Sequence, residues 1–152
     1  MATLKLIYDP ITTSSTRSHS RSRSPPTLTL TSSDTSLGHI NQSALILRHI
    51  QSNILISDLV PTGDPDTTPS ARVLLKTAKG DKANDLLKWE YEVYEERLKM
   101  LQGSIVPRCY GLFSGRVDER GTASGTGERF GCLVLEYVRP HMDKRVDSDE
   151  FQ

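Results

Sequence analysis

From Asp81 to Gln102 the chain contains neither Gly nor Pro, and a glycine stands on either side, Gly80 and Gly103. A run of that length without a breaker predicts a helix of about five turns. Apolar side chains at Ala83, Leu86, Leu87, Val93, Tyr94, Leu98 and Leu101 recur three and four apart, which places one stripe against a core. Asp81 or Asn84 is positioned to cap the first turn. Lys88 and Glu92, four apart, suit the solvent side.

The sequence around this helix reads as strands. "SALILRHI" and "SNILISDLV" are β-branched apolar runs that predict a hairpin, and order is expected to begin near Gln42. The Pro-, Gly- and Asp-rich "PTGDPDTTPS" is a loop, followed by a third strand over Arg72–Thr77. After the helix, "IVPRCYGLFSG" and "FGCLVLEYV" predict two more strands joined by the polar "RVDERGTASGTGER". The glycines of that connection do not make a phosphate-binding P-loop, because no Lys-Ser/Thr follows and no helix opens there. The expected fold is α+β: a five-stranded, mostly antiparallel sheet with one helix packed on it, spanning 41–140. Residues 141–152 read as a frayed charged tail.

Composition adds an N-terminal expectation. Hydrophobic residues make up 36% and aromatic ones 6%, low for a chain that folds throughout. Ser and Thr crowd the first residues, including "STRSHSRSRSPP", so 1–40 is read as a disordered Ser/Thr/Arg-rich tail. Its Arg-Ser alternation is similar to the RS tracts of RNA-processing proteins, but no RNA-binding module follows, and the serines before Pro25 read as phosphoacceptors. A formal net charge of +0 provides no field to recruit nucleic acid. Two cysteines, Cys109 and Cys132, are too few for a zinc site and read as reduced intracellular thiols. His19, His39, His49 and His141 are scattered, with no nucleophile motif beside them. No apolar run approaches the roughly 18 residues that cross a bilayer, and the N-terminus lacks a secretory pattern. A soluble cytoplasmic or nuclear protein without a membrane partner is expected.

Two charges interrupt this apolar plan. Lys76 closes the third strand before its apolar run has finished, and Glu90 falls on the core-facing side of the helix. An unpaired charge in a core costs on the order of several kcal/mol. If the helix lies on the sheet, the two charges satisfy one another.

These residues resemble the N-terminal lobe of the protein-kinase family. "VLLK" at Val73–Lys76 resembles its third-strand lysine motif, Glu90 falls where its helix glutamate pairs with that lysine, and "LVLEYV" resembles its fifth strand and hinge. "LQGSIVPRCYGLF" is similar to kinase-like sequences of fungi. The resemblance covers about Ser43 to Pro140. It implies that Lys76 contacts nucleotide phosphates, that Glu90 holds Lys76, and that backbone groups near Glu136 and Val138 meet the adenine of ATP.

The match departs from the family in three places. The turn "RHIQSN" between the first two expected strands has no glycine, so backbone cannot approach phosphates closely. Leu74 stands two before the lysine, where the family has a small residue roofing the adenine. No His-Arg-Asp catalytic loop and no Asp-Phe-Gly metal ligand appear among the 152 residues, so no metal site is expected. The resemblance therefore implies a truncated kinase-like lobe, an ATP-binding remnant without phosphotransferase activity of its own. Two other expectations stand beside it: the first part of an active kinase whose second lobe is not in this chain, and a pseudokinase-type scaffold. A half-domain of this kind exposes an apolar underside for a protein partner.

Overall fold

Along the strand that carries Lys76, side chains alternate between two apolar environments, and that alternation organises the molecule. Val73 and Leu75 are fully buried among one set of residues, while Leu74 and Ala78 pack against a second set that includes Leu87 of the helix. The computed structural model describes residues 2–8, 27–32, 41–61, 71–118 and 126–139. Its strands are β1 (Ala2–Tyr8), β2 (Thr27–Ser32), β3 (Asn41–Gln51), β4 (Ile54–Pro61), β5 (Ala71–Lys79), β6 (Cys109–Val117) and β7 (Glu128–Glu136). Helix α1 (Asp81–Glu92) lies between β5 and β6.

Among the described residues the fold is α+β with one α-helix, and the five expected strands are β3 to β7. Two more join them, so the described sheet has seven strands. They close into a barrel in the order β1-β2-β6-β7-β5-β4-β3. Every neighbouring pair is antiparallel except β1 and β3, which run parallel from Thr3 opposite Asn41 to Tyr8 opposite Ile46.

The two added strands correct the expectation of a disordered tail over 1–40. Ala2, Leu4 and Leu6 are buried and alternate with Thr3 and Lys5; Leu28 and Leu30 are buried on either side of Thr29. Period-two alternation is the strand signal, and it is short enough to be diluted when composition is averaged over the Ser-rich stretch around it. The Arg-Ser tract itself, the remainder of the expected tail, and 140–152 lie outside the described residues.

The barrel interior holds Ala2, Leu4, Leu6, Leu28, Leu30, Ala44, Leu55, Leu59, Val73, Leu75, Phe113, Val117, Cys132 and Val134. On its outside, Leu87, Leu133 and Leu135 form a second cluster, with Leu74, Ala78, Tyr91, Tyr94, Cys109 and Leu112 packed around them. This outer cluster seats α1 over β5, β6 and β7.

The helix departs from its expected form in three respects. Neither Asp81 nor Asn84 caps it: the N-cap is Gly80 at φ 86°, a left-handed conformation natural only to glycine, with no side-chain cap. The apolar stripe is narrower than the spacing suggests, since Leu87 is buried but Leu86 is 64% exposed and Leu101 is also exposed. The five-turn helix does not run straight through. After Glu92 the backbone forms a π-turn over Val93–Arg97, closed by Leu98 N–H to Val93 O at 3.0 Å, and then a 3-10 turn over Lys99–Leu101. A π-turn inserts a residue and rotates the following side chains out of phase, which is why Leu101 leaves the stripe.

Asn84 replaces a leucine-like contact with a hydrogen-bonded one. It is 5% exposed, and its Nδ2 donates to Gly80 O at 2.7 Å, Arg129 O at 3.1 Å and, more weakly, Ala78 O at 3.4 Å. The helix reaches this depth because Gly131 of β7 has no side chain: a Cβ there would stand 2.2 Å from Asn84 Oδ1. Replacing Asn84 by Ala removes the side-chain donor, although Gly80 O keeps the residue-84 amide at 3.1 Å and Arg129 O keeps the Gly80 amide at 2.8 Å, so Asn84→Ala is expected to lose about 1–2 kcal/mol. Urea unfolding followed by far-UV circular dichroism measures this; a loss no larger than that of a surface substitution contradicts the role.

Candidate functional site

Lys76 and Glu90 meet. Lys76 lies on the helix-facing side of β5, opposite Ile54 of β4 and Leu133 of β7. Glu90 lies one turn beyond Leu87, so burying Leu87 brings its carboxylate over the strand. Lys76 Nζ donates to Glu90 Oε2 at 2.5 Å. The side chains keep 33% and 29% of their surface, respectively, so the pair is half-buried rather than enclosed. This revises the expectation of a core ion pair, and it sets the scale of the interaction. A contact this open to water contributes about 1 kcal/mol or less, against roughly 2–3 kcal/mol for burying Leu87. The apolar contact seats the helix, and the ion pair fixes the direction in which the Lys76 amine points.

Tyr94 continues the same helix face. Burial, then the charges of Glu90 and Cys109, push its phenol above the ordinary tyrosine value. Leu74 lies on the same strand face as Lys76 and packs against the Leu87–Leu133–Leu135 cluster, so its bulk is already used.

Glu136 and Val138 lie elsewhere. With Tyr137 they line an open cleft of about 430 Å3 whose other wall is Gly103–Pro107. Glu136 N–H donates to Arg108 O at 2.8 Å, and Arg108 N–H donates to the Glu136 carboxylate Oε2 at 3.1 Å. Both the Glu136 amide hydrogen and its side chain are therefore engaged within the fold. The cleft walls include neither Lys76 nor Glu90. The sequence-nominated residues thus form two groups, one under the helix and one at the end of β7, rather than a single cavity.

Three contacts of this region lie outside the sequence reading of the site. Asn84 has a usable signal, since a polar residue three before Leu87 sits on the apolar face. Gln102 bridges two elements, its Nε2 donating to Tyr94 O at 2.9 Å and its Oε1 accepting from Cys109 N–H at 2.8 Å. Arg72 holds Asp58 across β4 and β5 at 2.8 Å, and this partner raises the Arg72 pKa. Among the described residues no group of three or more His, Cys, Asp or Glu side chains is placed to hold a metal ion. Among them, too, no helix is long and apolar enough to cross a membrane. Neither Cys109 nor Cys132 is in a disulfide. Comparison with protein-family models, with curated proteins and with solved structures finds no match for the chain.

A double-mutant cycle with Lys76→Met and Glu90→Gln is expected to give a coupling of about 0.5–1 kcal/mol in chemical denaturation. A value of about 3 kcal/mol or more belongs to an enclosed pair, and zero removes the contact altogether. Cys132 gives a second prediction. Burial in the barrel pushes its thiol up from 9.0 to about 12, so the folded state holds a proton that the unfolded chain releases. Stability from this group is complete below about pH 9 and is lost as pH rises toward about 12. Melting temperatures across that range are expected to fall more steeply for the native chain than for Cys132→Val; equal slopes refute it.

Proposed function

We propose that this chain forms a protein-kinase-like N-terminal lobe, an ATP-binding remnant that does not transfer phosphate on its own. The observation that carries this reading is the 2.5 Å contact between Lys76 on β5 and Glu90 on α1. A strand lysine held by a helix carboxylate is the arrangement the resemblance requires for presenting an amine to phosphate. Its placement on the third of the five strands β3 to β7, beside the strand that ends at Glu136, supports the same reading.

Other features speak against turnover. The β3–β4 turn through Ser52 and Asn53 has no glycine with which to approach phosphates. Leu74 fills the helix side of the strand next to Lys76. No catalytic-loop Asp or Asp-Phe-Gly occurs among these residues, and phosphoryl transfer depends on such groups to position the acceptor and the metal.

A second reading, a pseudokinase-type scaffold, draws on a different observation. Met100, Leu101, Ile105 and Val138 are exposed around the end of the helix and the cleft beside β7. Clustered apolar exposure of this kind suits a protein partner that covers it.

One pair of measurements separates these readings. The purified chain is expected to transfer no phosphate from magnesium ATP to a generic protein substrate, and transfer dependent on Lys76 overturns the proposal. Thermal unfolding with and without magnesium ATP decides between the remnant and the scaffold. A rise in Tm abolished by Lys76→Ala establishes a working nucleotide site and supports the remnant reading; no rise leaves the lobe to the scaffold role.

A further inference from the structure

The N-terminal hairpin is fixed to the rest of the barrel in two unequal ways. Along one side, β1 pairs with β3 from Thr3–Asn41 to Tyr8–Ile46. Along the other, β2 meets β6 at the single pair Thr31–Ser114, although β6 itself pairs with β7 from Cys109 to Val117. At this seam the side chains come close: a Cβ on Gly115 would stand 2.9 Å from Leu30 Cδ2. The barrel is closed there chiefly by Leu28 and Leu30 entering the interior, with little backbone hydrogen bonding to support them.

The hairpin is also separable by topology. Strands β3, β4, β5, β7 and β6 form a continuous antiparallel sheet without it. Helix α1 and the Lys76–Glu90 pair occupy the outer face of that sheet, whereas β1 and β2 cover its inner face.

We propose that β1–β2 is a releasable wall: the hairpin parts from β6 at the weak seam and then from β3, loses its strand pairing, and uncovers the inner apolar face of the sheet while the helix stays seated. The uncovered surface includes Leu55, Val73, Leu75, Phe113 and Val134. This device alternately hides and presents an apolar face on the side opposite α1. It does not rest on nucleotide binding, and its success or failure is read independently.

Hydrogen exchange with mass spectrometry on the full chain tests it. Amides of Ala2–Tyr8, a strand paired along both edges in the closed barrel, are expected to exchange on the order of a hundredfold faster than those of Leu74–Thr77 and Cys132–Leu135. Equal protection of the two sets overturns the proposal. Gly115→Val, which pushes a side chain into Leu30, is expected to accelerate hairpin exchange by about tenfold and leave β5 and β7 unchanged. Uniform acceleration of all strands shows one cooperative barrel and also overturns it. If the variant does not fold, the rates of the native chain decide.

Discussion

The molecule depends on the place where Asn84 lies over Gly131. There a buried side-chain amide takes up backbone carbonyls from the end of β5, from the helix start and from β7. The absent Cβ of Gly131 sets how near the helix comes. With Leu87 one turn later, this junction fixes both the height and the rotation of α1. Glu90 then has no freedom about which way it faces, and it reaches Lys76. The ion pair that invites a functional reading is thus a consequence of helix seating more than its cause. Magnitudes agree, because a half-exposed pair contributes less than one buried leucine.

Much of the five-strand-and-helix unit was legible in the sequence, for definite reasons. Strands β3 to β7 are apolar runs bounded by turn chemistry, and the helix is a breaker-free stretch between two glycines. The Lys76–Glu90 contact was legible because each charge is out of place unless it finds the other. The part that was not legible has physical causes as well. β1 and β2 are short alternations set within Ser- and Thr-rich sequence, and they are buried only because closure of the barrel supplies their partners. No local property of residues 2–8 reveals that a strand beginning at Asn41 lies parallel to it. The π-turn at Val93–Arg97 is likewise invisible to a periodicity that assumes 3.6 residues per turn.

The candidate site was read less completely. Glu136 and Val138 were chosen by resemblance, and they lie in a cleft of their own at the end of β7. Glu136 holds Arg108 through both its amide and its carboxylate, a role that depends on the loop before β6 folding back beside the end of β7. Such a contact joins residues distant in sequence and has no signature in spacing.

The closed order of strands carries a further consequence for how the protein is made. β2 finds its second neighbour in β6, so during synthesis it has an unfinished border until β3, β4, β5, α1 and β6 have all emerged from the ribosome. Through that interval Leu28 and Leu30 await cover, an apolar exposure of the kind that chaperones mask.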